Sequence, residues 1–151
     1  FLISSHVNSA ISENYAGGRV VSLILISLWM LDTSAYFVGK KFGRHKFFPS
    51  ISPKKTIEGV LGGFLGAVIS AVAAKYIYVD FLSIWGAISL GIIIGVFGQI
   101  GDLLESSIKR KANVKDSSDL IPGHGGFLDR FDSLFLISPV CYIFIKYLLY
   151  N

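Results

Sequence analysis

The stretch Val20-Val-Ser-Leu-Ile-Leu-Ile-Ser-Leu-Trp-Met-Leu-Asp-Thr-Ser-Ala-Tyr-Phe-Val-Gly39 runs for twenty residues with a single charge, Asp32. A helix needs roughly 20 mostly apolar residues to cross the hydrocarbon core of a bilayer, so this segment predicts a transmembrane helix. Working outward, Ile57–Val79 and Phe81–Leu104 are separated only by a short turn at Asp80 and predict an antiparallel hairpin across the bilayer. Leu134–Tyr150 predicts a fourth and shortest span. The fold class that follows is all-α, a polytopic integral membrane helix bundle with about four transmembrane helices in this chain. Composition agrees, because 52% hydrophobic residues, 16% charged residues and a mean hydropathy of +0.61 in 151 residues are wrong for a soluble domain. Intrinsic disorder is excluded by the same figures. One cysteine, Cys141, excludes an internal disulfide framework and any multi-cysteine metal site.

Residues 1–18 mix polar and apolar types without a basic leader and are expected to form a polar, extracytoplasmic segment. Residues 19–151 then form the transmembrane domain, with polar loops at about 40–56 and 105–133. A chain that opens on Phe1 is expected to be a fragment. The hairpin puts both loops on one side. Lys40, Lys41, Arg44, Lys46, Lys54 and Lys55 lie in the first, and Lys109, Arg110, Lys111, Lys115 and Arg130 in the second. Eleven of the fourteen cations thus share one face, which the positive-inside rule makes cytoplasmic. The net charge of +4 therefore signals topology, and no nucleic-acid partner is expected of a chain this apolar. Gly62-x-x-x-Gly66 and Gly91-x-x-x-Gly95 allow close helix approach, with packing inside the bundle expected ahead of a dimerisation seam.

Ionisable groups inside a bilayer cost a few kcal/mol each even on lenient scales, so each needs a reason. Asp32 precedes Lys40 by eight residues, which at about 1.5 Å per residue puts it roughly 10 Å below the cationic face. Asp102 precedes Lys109 by a similar interval, and Asp129 and Asp132, one helical turn apart, sit at the start of the last span. Four acids converging from one side predict a polar cavity. Carboxylates beside clustered Lys and Arg suit a meeting of a divalent cation with a polyphosphate, since Mg²⁺ takes one or two carboxylates plus phosphate oxygens. Pro122-Gly-His-Gly-Gly126 adds glycines that let backbone N–H groups approach an anion. An ion- or proton-coupled transporter is the alternative use of intramembrane acids, although transporters place theirs near the midplane.

The stretch Ser106 to Asp132, SSIKRKANVKDSSDLIPGHGGFLDRFD, resembles the signature of the phosphatidate cytidylyltransferases, or CDP-diacylglycerol synthases. The resemblance rests on Ser106, Lys109-Arg110, Lys115-Asp116, Ser118, Pro122, His124-Gly125-Gly126, Asp129-Arg130 and Asp132. Asp32-Thr-Ser-Ala-Tyr-Phe-Val-Gly39 and Ser52-Pro-Lys-Lys-Thr-Ile-Glu-Gly59 are similar to further stretches of that family. It implies transfer of the cytidylyl group from CTP to phosphatidate, giving CDP-diacylglycerol and pyrophosphate for phospholipid biosynthesis, with Mg²⁺ required. A CTP-dependent enzyme acting on another lipid phosphate would share these motifs.

On that resemblance Asp102, Asp129 and Asp132 are the expected metal ligands, and with Lys109 and Arg130 they form the expected catalytic set. Lys54, Lys55, Arg110, Lys115, Asp116, His124, Gly125, Gly126 and Asp32 are the expected substrate-binding residues. His124 is expected to shape its loop or touch phosphate, because a phosphate monoester is already an anionic nucleophile. The resemblance also implies further N-terminal transmembrane spans outside this chain, a bacterial inner (cell) membrane location, and a second copy of the chain as a candidate partner.

Overall fold

The computed structural model describes residues 2–49, 51–111 and 128–150, with side chains described over 16–49, 51–111 and 133–147. Four helices and their short connections make up the described residues, with no strand among them: α1 (Leu2–Phe42), α2 (Ile57–Ile77), α3 (Ile84–Lys111) and α4 (Leu128–Tyr150). Three segments, Ala16–Phe42, Ile57–Ile77 and Ile84–Lys111, are long and apolar enough to cross a membrane, and Ser133–Tyr147 is a shorter apolar stretch. The surface makes the same point. Trp85 is 75% exposed, and Trp29, Leu61, Leu65, Ile69 and Ile143 also face outward, a display of large apolar groups that suits lipid and not water. This is a membrane protein.

Small residues hold the helices together. On α2 the buried positions are Gly59, Gly63, Ala67, Ala71 and Ala74, one per turn, while Leu61, Leu65 and Ile69 point away. Hydrophobic burial gives helices little drive to associate in lipid, so close backbone approach supplies the dispersion energy instead. A Cβ at Gly66 would meet Ser34 of α1, and one at Gly91 of α3 would lie 2.7 Å from the Val68 Cα of α2. Both GxxxG pairs therefore pack within the bundle. Around this seam Leu23, Leu28, Leu31, Leu90, Ile94, Ile137 and Cys141 form the core. Ser133 on α4 reaches across to α3, its Oγ donating to the Gly98 carbonyl at 3.2 Å.

The chain turns by local chemistry. Tyr78 and Val79 donate their N–H groups to the Ala74 carbonyl, ending α2, and Ser83 Oγ accepts the Gly86 N–H to start α3. Arg19 of α1 pairs with Asp80 in this turn at 3.2 Å.

Helix ends differ from the expected span ends. α3 continues past Leu104 through Glu105 to Lys111, and α4 begins at Leu128, six residues before Leu134. Hydropathy marks where a bilayer ends, whereas a helix ends where its hydrogen bonds and side-chain pairs stop supporting it. At the end of α3 the Glu105–Lys109 pair (3.3 Å, i to i+4) and three cations in the last turn extend it beyond the apolar stretch. Likewise α1 runs through the polar residues before Ala16.

Candidate functional site

The lysine-rich connection between α1 and α2 is folded tightly onto the helix ends. Thr56, extended at φ −124° and ψ 152°, is the N-cap of α2: its Oγ1 accepts the Gly59 N–H at 3.2 Å. Its neighbours form a single antiparallel bridge between Lys46 and Thr56, with Phe47 N donating to the Lys55 carbonyl at 2.9 Å and Ile57 N to the His45 carbonyl at 3.0 Å. Gly43 makes the entry into this turn, where a Cβ would collide with the Gly39 carbonyl oxygen and come within 2.7 Å of Thr56. Only glycine fits there.

Glu58, in the first turn of α2, clamps the far side. Its two carboxylate oxygens accept the His45 N–H at 3.2 and 3.3 Å, and Oε1 lies 2.7 Å from His45 Nδ1. A carboxylate at a helix N-terminus is also favoured by the helix dipole. Glu58→Ala is therefore expected to speed amide hydrogen exchange at His45 and Phe47 several-fold while leaving the interior of α2 unchanged. Peptide-resolved exchange in detergent would check this, and unaltered protection at His45 would remove the clamp from the account.

These contacts aim Lys54 and Lys55 at a cavity of about 360 Å³. Its wall includes Asp32, Tyr36 and Lys40 from α1, Lys54, Lys55 and Thr56 from the connection and the α2 cap, and Gln99 and Asp102 from α3. Lys55 Nζ forms an ion pair with Asp102 Oδ2, the two side chains being 26% and 38% exposed. Ser106, one turn on, donates from Oγ to Asp102 Oδ1 at 3.4 Å. Gln99, nearly one turn back, donates from Nε2 to the Val60 carbonyl at 2.8 Å, and its Oε1 is buried with no hydrogen-bond partner among the described residues. Lys40 Nζ lies 5.6 Å from the Tyr36 ring centroid, within cation–π range.

The structure thus brings together Asp32, Lys54, Lys55 and Asp102. Arg110 stands apart from that wall; its Nε donates to the Ile51 carbonyl at 3.3 Å and ties the end of α3 to the first connection. Lys109 pairs with Glu105. Lys115, Asp116, His124, Gly125 and Gly126 lie outside the described residues, as do the side chains of Asp129, Arg130 and Asp132 in the first turns of α4. Gln99 is absent from the residues expected from the sequence, and Tyr36 and Thr56 stand there only inside the two family-like stretches, with no role of their own. The signal was there in helical spacing, since Gln99 and Tyr36 stand three and four residues from Asp102 and Asp32 on their helices.

Chemically, two carboxylates and three lysines around one cavity can hold a cation and an anion side by side. Among the described residues no three His, Cys, Asp or Glu side chains are close enough to form a metal site alone. The donor set nevertheless fits Mg²⁺, a hard cation that takes one or two protein carboxylates and completes its shell with water and phosphate oxygens. A second cavity of about 780 Å³, between α1 and α4, is lined by apolar groups such as Val21, Ile24, Leu25, Leu134 and Tyr142.

Comparison with known proteins identifies the family. The chain is 47% identical over 125 residues to the phosphatidate cytidylyltransferase of Staphylococcus aureus (strain COL), an alignment covering 82% of this chain and 48% of that protein. The Staphylococcus haemolyticus protein of the same name matches at 47% and the Staphylococcus saprophyticus one at 43%, each over the same shares. The chain spans about half the length of these curated relatives. The model of the Cytidylyltransferase family matches residues 1–148, nearly the whole sequence, so this chain belongs to that family.

Proposed function

We propose that this chain supplies the cation- and phosphate-handling part of a phosphatidate cytidylyltransferase. The observation that carries the reading is the cavity in which Asp32 and Asp102, from two different helices, face Lys40, Lys54 and Lys55. A phosphatidate phosphate oxygen attacks the α-phosphorus of CTP, a new P–O–P bond forms, the α–β phosphoanhydride bond breaks, and pyrophosphate leaves with the electron pair. The products are CDP-diacylglycerol and pyrophosphate. Such a transfer asks the protein mainly for alignment and charge stabilisation.

Asp102 is the described residue best placed to hold Mg²⁺, with Asp32 on the same wall, and Asp129 and Asp132 are the further acids assigned to the ion on the family resemblance. The ion, when bound, would neutralise phosphate charge at the reacting centre. Lys54, Lys55 and Lys40 draw phosphate oxygens into the cavity, and Lys109, Arg110, Lys115 and Arg130 are the further cations assigned to the triphosphate. Asp116, His124, Gly125 and Gly126 are assigned to substrate binding on the family resemblance. Gln99 Oε1 offers one more acceptor near the carboxylates.

The cation-rich end faces the cytoplasm of a bacterial inner membrane, where CTP is dissolved and the phosphatidate phosphate lies at the interface. Residues 1–18 project toward the opposite side. Further helices within the remaining length of the longer relatives would complete the bundle, and a second copy of the chain is a candidate neighbour. The test is incorporation of radiolabelled CTP into extractable lipid by the purified protein in phosphatidate-containing micelles, with Mg²⁺ or with EDTA. Label in lipid with stoichiometric pyrophosphate, abolished by EDTA, is the expected result. Transfer of equal rate in EDTA would overturn the metal role, and no transfer with Mg²⁺ would overturn the activity.

A further inference from the structure

The ion pair between Lys55 and Asp102 joins two residues that the proposed chemistry needs for opposite purposes. Asp102 is wanted for a cation and Lys55 for an anion, yet the two pair with each other. We infer that Lys55 is the exchangeable counter-ion of Asp102: its ammonium group competes with a divalent cation for the carboxylate, and is released toward the anionic ligand when the cation arrives. This rests on the reading of Asp102 as a cation ligand.

The surrounding geometry supports an exchange of side chains over a fixed backbone. The Lys55 main chain is held at both ends, its N–H donating to the Ser52 carbonyl at 3.3 Å and its carbonyl accepting the Phe47 N–H at 2.9 Å. Thr56, next in the chain, is buried and capped onto α2. The four-carbon stem is therefore the only free part of the residue, and a lysine ammonium is a point charge on a flexible arm. Ser106 holds Asp102 Oδ1, so the carboxylate stays aimed at the cavity when Lys55 leaves Oδ2. Both partners line the same wall, so the released ammonium stays where a phosphate would lie. Two cations cannot share one carboxylate oxygen without repulsion, which makes the exchange competitive. Cation and anion binding then help each other, because each removes the partner that the other must displace.

The experiment is titration of the purified protein with Mn²⁺ alone, with free Mn²⁺ followed by electron paramagnetic resonance and no nucleotide present. At low ionic strength Lys55→Met is expected to bind Mn²⁺ about tenfold more tightly than the unaltered protein, since removal of a nearby like charge is weakly screened there. Lys55→Arg keeps the charge and is expected to bind no more tightly than the unaltered protein. Lys54→Met removes a cation from the same cavity wall and is expected to change affinity far less than Lys55→Met. Unchanged or weaker binding by Lys55→Met overturns the exchange, and so does equal tightening by Lys54→Met, which would reduce the effect to the general field. Asp102→Asn separates the two readings: loss of Mn²⁺ binding supports Asp102 as the ligand whatever Lys55 does, whereas unaltered binding sinks the ligand assignment itself.

Discussion

Asp102→Asn is expected to lower cytidylyl transfer by about 10²–10³-fold with the protein otherwise intact, the loss typical when one preorganised electrostatic partner is removed from a reacting centre. The substitution keeps the shape of the side chain and removes only its charge. Asp102 sits on α3, where the cavity wall brings it opposite Asp32, Lys54 and Lys55. Its structural contribution is small by comparison: the pair with Lys55 is partly exposed on both sides, and such pairs are worth about 0–1 kcal/mol. The two effects therefore separate cleanly. Label transfer falls steeply while the melting temperature in detergent barely moves, and raising Mg²⁺ restores little because an amide oxygen is a poorer ligand than a carboxylate. Transfer within threefold of normal at saturating Mg²⁺ would take Asp102 out of the reaction.

The second large effect is structural. Gly91→Leu is expected to prevent recovery of folded protein or to lower its melting temperature by more than about 10 °C. Overpacking a close contact costs about 1–3 kcal/mol even where neighbours can adjust. Here the obstacle is backbone, since a Cβ at residue 91 would lie 2.7 Å from the Val68 Cα and 3.3 Å from the Ala67 carbonyl oxygen. No rotamer change relieves that, so α2 and α3 must move apart along the seam that also sets the distance from Val60 to Gln99. At Gly66 a Cβ would strike the Ser34 hydroxyl and would also lie 2.7 Å from the Ser34 Cβ and 3.0 Å from the Met30 carbonyl oxygen, so Gly66→Leu is expected to be destabilised as well, by forcing α1 and α2 apart. At Gly17 a Cβ would meet nothing within 4 Å, so Gly17→Leu serves as the tolerated control. Thermal melts of the three variants in one detergent check the order, and a Gly91→Leu protein as stable as Gly17→Leu would refute the close seam.

The helical architecture was largely legible because each element is decided locally. A segment such as Val20–Gly39 satisfies its own backbone hydrogen bonds, and its apolar length alone commits it to the bilayer. The exact ends were less so. Residues Glu105 to Lys111 are too polar to count as span, but their i to i+4 pairing and terminal cations extend α3 regardless. On α2 the hydropathy of Ile57–Val79 told nothing of which face is inside, because in lipid the buried side is the one with glycine and alanine.

For the site, residue types and their spacing along each helix could be read from the chain itself. The eight-residue interval from Asp32 to Lys40 sets the acid about two helical turns before the cation along α1 whatever the tertiary packing. Only the assembled bundle decides that Lys55 meets Asp102, that Ser106 steadies it, and that Gln99 joins the same wall. Lys55 and Asp102 are 47 residues apart, on opposite sides of a helical hairpin, and no local pattern fixes the rotation of α3 relative to the α2 cap. That rotation is set by Gly91 and Gly95 resting on Val68 and Phe64, a matter of volume between neighbouring helices. The sequence by itself therefore determined a membrane-embedded helix bundle with acids and cations gathered at one end. The tertiary structure decided which acid faces which cation, because helix rotation is fixed by side-chain packing between segments that hydropathy treats one at a time.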